Sequence, residues 1–234
     1  MRKNKAVFLY DRSTIMAKPW LDAGWECWCF DGQHPEGVTT DGKLNLVGCM
    51  FNAHRKLEDT LKIAKIVGTG VGHVFGFPEC TDLTVTGALH FEKKKSENAL
   101  FQHEAIELAD LVRCVGVFYR CPWAFENPRS VISTHYRKPD FSFNPCDYGG
   151  YLPENDSHPD YPEIYPPRDA YNKDTWIWSG QGYKEPKRQR IEPAEKENPG
   201  WKKLGGKSLR TKNIRSATPR GFAKANFLAN GSQL

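Results

Sequence analysis

Two short apolar runs constrain this chain more than any other feature: Ala6–Tyr10 (AVFLY) and Trp25–Phe30 (WECWCF), each closed by an aspartate, Asp11 and Asp31. Between them, Ile15 to Gly24 has room for a turn or two of helix, with Gly24 as its stop. Apolar runs of this kind read as strands covered on both faces. Strand, loop, short helix, strand and acid make the opening βαβ unit of a doubly wound α/β sheet, with helices on both faces. Ligands of such sheets collect outside the carboxyl ends of the strands, so the residues following each strand are the candidates for chemistry.

The rest of the chain continues the pattern. Leu57–Ile66 has helical apolar spacing, and Val71–Phe77 (VGHVFGF) reads as a third strand running straight into Pro78-Glu79-Cys80-Thr81. Glu97–Val115 reads as a helix, and Trp123-Ala124-Phe125 as a short strand ahead of the turn Glu126-Asn127-Pro128. Residues 147–170, rich in Pro, Tyr and acids and without periodicity, read as an extended loop inserted in the domain. Lys173–Ser179 (KDTWIWS) returns to strand alternation, and Thr218–Leu228 reads as a last helix with Thr218 as N-cap and Pro219 at its first position. The expected organisation is a main domain over 1–180, a basic linker-like segment over 181–212, and a C-terminal helix, 213–230, packing back on the domain.

A length of 234 residues suits one domain, and the apolar fraction of 39%, roughly 48% once the 20 glycines are added, is that of an ordinary globular chain. That excludes a mostly disordered chain, a collagen-like repeat and a coiled coil. No stretch approaches the ~20 apolar residues of a membrane span, so no membrane partner is expected. The run that follows Met1-Arg2-Lys3-Asn4-Lys5 is too short for a secretory signal, and a cytoplasmic protein is expected. Seven cysteines, an odd number, read as reduced thiols. Cys27 and Cys29 have no second pair at zinc-site spacing, and neither have His90, His103, His135 and His158, so no metal is expected. Trp123, Trp176 and Trp178 read as packing residues, and Lys93-Lys94-Lys95 as a solvated approach to a helix. Charge is distributed unevenly. Residues 181–224 hold 13 Lys+Arg against 4 Glu, net +9, whereas the remainder holds 20 against 24, net −4. The basic segment suits either the tracking of phosphates or a solvated linker.

Three polar residues fall at strand ends: Asp31, Cys80 and Glu126. Strand–Pro-x-Cys-Thr followed by strand–Glu-Asn-Pro resembles the Pro-Cys and Glu-Asn-Val turns of the cytosine-C5 DNA methyltransferases. The chain is most similar to their compact phage and bacterial branch, through FPECTDLTVTGALHF at 77–91, PWAFENPRSVISTHYRKPDFSFNPCDYGGYLPE at 122–154, DAYNKDTWIWSG at 169–180 and IRSATPRGFAKANF at 214–227.

The resemblance implies a Rossmann-like S-adenosylmethionine-dependent methyltransferase acting at C5 of cytosine in DNA. Cys80 is then the nucleophile that adds to C6 of the ring, and Glu126 the acid that holds N3 and the exocyclic amine, with Arg137 a candidate for orienting the adduct. The thiol needs a lowered pKa to attack, and the carboxyl must hold a proton near neutral pH. Asp31 is implied for the ribose hydroxyls of S-adenosylmethionine, and Tyr10, Asp11, Ser13 and Pro78 for the rest of that cofactor. Thr81, Asn127, Pro128, Arg215 and Thr218 are implied on the substrate side. The compartment is the host cytoplasm if the chain is phage-encoded.

The chain departs from the family pattern at three places. Arg12 and Thr14 stand where glycines of a cofactor loop are expected. Glu79 replaces the proline before the nucleophile, and no Gln-x-Arg-x-Arg block is present. The gap over residues 181–213 is also too short for a packed target-recognition domain. Base extrusion from duplex costs a few kcal/mol, a cost that a free nucleotide or a single strand avoids. Two other readings therefore stand beside DNA methylation: a methyltransferase-fold protein that binds nucleic acid or nucleotide without transfer, and a C5 methyltransferase of free pyrimidine nucleotides such as dCMP.

Overall fold

The computed structural model describes residues 3–206 and 208–231; Lys207 of the basic segment lies outside them. β1 (Lys5–Leu9) is buried from both sides because its side chains alternate between two cores: Ala6 and Phe8 enter one, Val7 and Leu9 the other. It pairs in parallel with β2 (Glu26–Asp41) on one side and β4 (Val71–Gly76) on the other. β3 (Leu44–Gly48), β5 (Trp123–Pro128), β6 (Phe141–Phe143) and β7 (Thr175–Gly180) complete a seven-stranded sheet of order β3-β2-β1-β4-β5-β7-β6. β4 and β5 are parallel, whereas β7 runs antiparallel to both β5 and β6. The protein is thus α/β, with a mostly parallel sheet.

Helices cover both faces, and a single helical turn, α5 (Ile132–His135), follows β5. α2 (Lys56–Val67) and α4 (Phe101–Tyr119) place Ile63, Val67, Val112 and Val115 against Val7, Leu9, Val74 and Phe125. On the other face α1 (Lys18–Asp22) and α8 (Arg220–Asn230) set Trp20, Phe222 and Ala223 against Ala6, Phe8 and Phe75. His73 of β4 is buried there, stacked 4.4 Å from Trp20, and burial holds its pKa down at about 3. A third, smaller core joins Ile164 and Tyr165 of the Pro/Tyr-rich segment, and Tyr171 just after it, to Ile214 and Ala217.

The structure corrects several sequence expectations. The helix read over Glu97–Val115 starts and ends later, as α4 (Phe101–Tyr119); Glu97 closes a separate short helix, α3 (Phe91–Glu97), and the Asn98 side chain between them accepts the Leu100 N–H at 2.9 Å. The triplet at 93–95 lies inside α3, where Lys94 pairs with Asp82. Glu126-Asn127-Pro128 is not a turn but the end of β5, hydrogen-bonded to β7. The second half of β2 was not foreseen: the strand passes Asp31, wraps the end of β3 and returns with Val38–Asp41 in reversed register to Val47–Leu44. Gly48 permits this, since a Cβ there would lie 2.1 Å from the Pro35 carbonyl oxygen. In the last helix Pro219, not Thr218, occupies the N-cap position, and no side chain caps it.

The segment read as linker-like is tied down instead. Gly150 N–H donates to Gln189 O, Gln189 N–H to Asp147 O and Ile191 N–H to Cys146 O, all at 2.8–3.0 Å. The segment then forms α6 (Pro199–Lys203), and α7 (Leu209–Arg215) follows it. The Pro/Tyr-rich loop carries short 3-10 turns at Pro145–Tyr151 and Pro167–Asp169, and Arg220 of α8 holds it through Asp156 at 2.7 Å and Asp169 at 3.3 Å.

Candidate active site

The carboxyl ends of β1, of the parallel first half of β2, of β4 and of β5 carry Asp11, Asp31, the Pro78–Cys80 turn and Glu126–Asn127. Asp11 is buried; its Oδ1 accepts from Ser13 Oγ at 3.0 Å and from the Thr14 N–H at 2.9 Å, while its Oδ2 is buried without a partner. Burial pushes its carboxyl up to about 6 despite those two hydrogen bonds, and Asp31 nearby adds to the rise. Asp31 accepts the Gln33 N–H at 2.8 Å. Tyr10 and Thr14 both sit at positive φ, 60° and 57°, so this loop takes left-handed turns without glycine. The Tyr10 hydroxyl is committed to Leu108 O of α4 at 2.8 Å. Arg12 is exposed, outside the buried loop, and lines a hollow of about 270 Å³ with Gln33, Tyr161, Arg210 and Asn213. Gln33 and Asn213 join across it in a reciprocal amide pair at 3.0 and 3.2 Å.

The second half of the site lies at the neighbouring ends of β4 and β5. Asn127, fully buried, donates its Nδ2 to Pro78 O at 3.2 Å and so ties the Cys80 turn to β5. Leu83 and Thr84 N–H groups both donate to Cys80 O at 3.0 Å, closing the turn, and Thr81 Oγ1 donates to Glu79 Oε1 at 2.7 Å on its exposed side. The Cys80 thiol is pushed up to about 11, first by burial and then by Glu126 and Glu79, with Lys173 opposing. Glu126 is partly buried, its Oε2 fully so and unpartnered. Burial pushes this carboxyl upward too, again opposed by Lys173. Glu126, Lys173, Phe77, Thr175, Thr218 and Phe222 are among the residues lining a recess of about 10 Å³. That is one water's worth of space; a planar ring enters only if this wall parts.

Of the expected residues, the structure gathers Pro78, Cys80, Glu126, Asn127 and Thr218 in this half, and Asp11, Ser13 and Asp31 in the other. Pro128 ends β5, paired with Thr175. Arg137 falls elsewhere. Its guanidinium bonds to Asp140 and to Ser179 O at 2.7 Å and lies over the Trp123 ring, at the amino end of β5. Arg215 is a clasp between backbone segments: it donates to Gly200 O and Leu204 O and stacks on Trp201 at 4.9 Å. Lys173 was missed by sequence reading, because its place depends on the reversal of β7, which alternation does not reveal.

Among the described residues no helix is long and apolar enough to cross a membrane, and no three His, Cys, Asp or Glu side chains are grouped to hold a metal ion. In comparisons with known proteins, no family model and no curated protein matches this chain.

Proposed function

We propose that this chain is an S-adenosylmethionine-dependent methyltransferase acting at C5 of cytosine in DNA through a Cys80 adduct at C6. The observation that carries the reading is the pairing of a cysteine turn with a buried acid. Cys80 and Glu126 stand at the ends of adjacent parallel strands, tied by the Asn127–Pro78 hydrogen bond. The strand order supports a Rossmann-like sheet: it is the doubly wound order 3-2-1-4-5-6 with one reversed strand inserted before the last.

The residues at β1 and β2 suit the cofactor. Asp11 and Asp31 place two carboxylates close together, one with a buried oxygen lacking any donor. A ligand bringing positive charge and hydroxyl donors satisfies both. Asp31 would take the ribose hydroxyls, and Asp11 and Ser13 would line the methionine end. When bound, the cofactor supplies an electrophilic methyl group. Glu126, held toward its protonated form by burial, donates to the ring nitrogen as Cys80 sulfur bonds to C6. The addition makes C5 electron-rich and ready to accept the methyl.

One observation favours a rival, a binding protein without transfer: the free Cys80 thiol is held at about 11, far above what attack at neutral pH requires. Methyl transfer from labelled S-adenosylmethionine, with duplex DNA and dCMP offered in parallel and Cys80→Ser as control, separates the readings. Label in DNA that vanishes in the variant is expected. Label in dCMP alone moves the substrate to free nucleotides, and no label from folded protein leaves the binding reading.

A further inference from the structure

Glu126 and Glu79 place negative charge beside Cys80, so a thiolate there needs a nearby cation, and neither arginine implied for the site supplies it. Arg137 is spent on Asp140 and Ser179 O at the far end of β5, and Arg215 on two backbone carbonyls and the Trp201 ring. Lys173 remains. Because β7 is antiparallel to β5, with Pro128 opposite Thr175 and Glu126 opposite Ile177, the residues just before β7 emerge beyond the carboxyl end of β5. Lys173 enters the site by that route. Its backbone N–H is fixed by Asn144 Oδ1 at 2.9 Å, its ammonium has one weak acceptor, Arg215 O at 3.5 Å, and its side chain lines the same recess as Glu126.

We propose that Lys173 is the positioning cation of this site, favouring ionisation of Cys80 against the opposition of Glu79 and Glu126. The assignment rests on the reading of Cys80 as a nucleophile. In the step concerned the Cys80 S–H proton leaves to solvent, the sulfur keeps the electron pair, and the Lys173 ammonium offsets the new negative charge. The charged groups around the thiol are Glu79 on its own turn, Glu126 from β5 and Lys173 ahead of β7; burial opposes ionisation, as do the two carboxylates, while Lys173 and, more weakly, the Cys80 backbone N–H favour it.

The test is the pH profile of Cys80 alkylation by iodoacetamide, resolved from the other six cysteines by peptide mass spectrometry, on free protein without DNA or cofactor. The thiolate sulfur forms the S–C bond and iodide leaves. Lys173→Met keeps the packing stem and removes the charge; its midpoint is expected to rise by about one pH unit, slowing alkylation about tenfold at any pH below it. Lys173→Arg is expected to restore the profile, and Glu79→Gln to shift it the opposite way. Lys173→Gln serves as a second uncharged variant should the Met variant melt early. A wild-type midpoint retained in folded Met or Gln variants overturns the assignment, and so does a rate change equal at every pH, the mark of altered access alone. Methyl transfer is measured separately. A chain that transfers methyl with an unmoved profile keeps the function and loses Lys173's role; one that shifts its profile without transferring methyl does the reverse.

Discussion

Asp11 and Glu126 are carboxyls whose environments favour the protonated form, and each makes a prediction. Asp11 is raised from an ordinary 3.8 to about 6. A raised carboxyl stabilises the fold below its unfolded pKa, and that contribution is lost as pH climbs through the folded value. For Asp11 the window is about pH 4 to 6, and the shift amounts to about 3 kcal/mol in the limit. Urea unfolding of wild type and Asp11→Asn at pH 4.5 and 7 reads it: the variant is expected to lose that part of the decline, and parallel profiles count against it. Glu126→Gln preserves shape and removes the transferable proton. It is expected to cut methyl transfer by a factor of about 10²–10⁴ while leaving DNA binding in a gel-shift assay near wild type. Loss of binding alone would assign Glu126 to recognition.

Among the elements, α8 fixes the Pro/Tyr-rich segment to the sheet. Gly221 N–H donates to Asp169 Oδ2 at 2.8 Å, and a Cβ at Gly221 would stand 2.4 Å from the Tyr148 carbonyl oxygen. Gly221→Ala therefore forces backbone from backbone and is expected to cost about 1–3 kcal/mol, read as a lowered Tm; an unchanged Tm would mean that the two segments separate freely. The same contrast explains what was legible beforehand. β1, β4 and the first half of β2 announced themselves because their heavy burial leaves dense apolar runs, interrupted only at Glu26 and His73. The returning half of β2 did not, since residues 36–43 are exposed and carry turn chemistry in place of alternation, and β3 (Leu44–Gly48) is a short run with Asn45 buried in it. The start of α4 at Phe101 rather than Glu97 was hidden by the helix formers Glu97, Ala99 and Leu100 ahead of it. Cys80 and Glu126 were legible as the residues after apolar strands, whereas Lys173 precedes its strand and reaches the site only because that strand is reversed.

Across the whole molecule, the basic C-terminal segment is folded onto the body. Lys202 and Lys203 pair with Glu195, and Arg188 and Arg190 lie 3.5 Å from Asp147. Other cations remain for a partner: Arg210 and Lys212 of α7 are exposed and form no ion pair among the described residues, and Arg210 shares the hollow beyond β1 and β2 with Arg12. The Gln33–Asn213 pair holds α7 at the carboxyl ends of the strands, so its charges face the same side as the candidate site. A duplex bound there releases counterions in proportion to the phosphates neutralised. Replacing Arg210 and Lys212 together by Ala is expected to lower the slope of log affinity against log salt by about 2. The loss should be similar for every sequence tested, because phosphate contacts carry no base information. Fluorescence anisotropy from 50 to 200 mM salt measures it. Transfer to dCMP, which needs no backbone contact, should be unaffected by the same pair of substitutions. An unchanged salt slope would remove α7 from the path of the nucleic acid and shift weight to the free nucleotide as substrate.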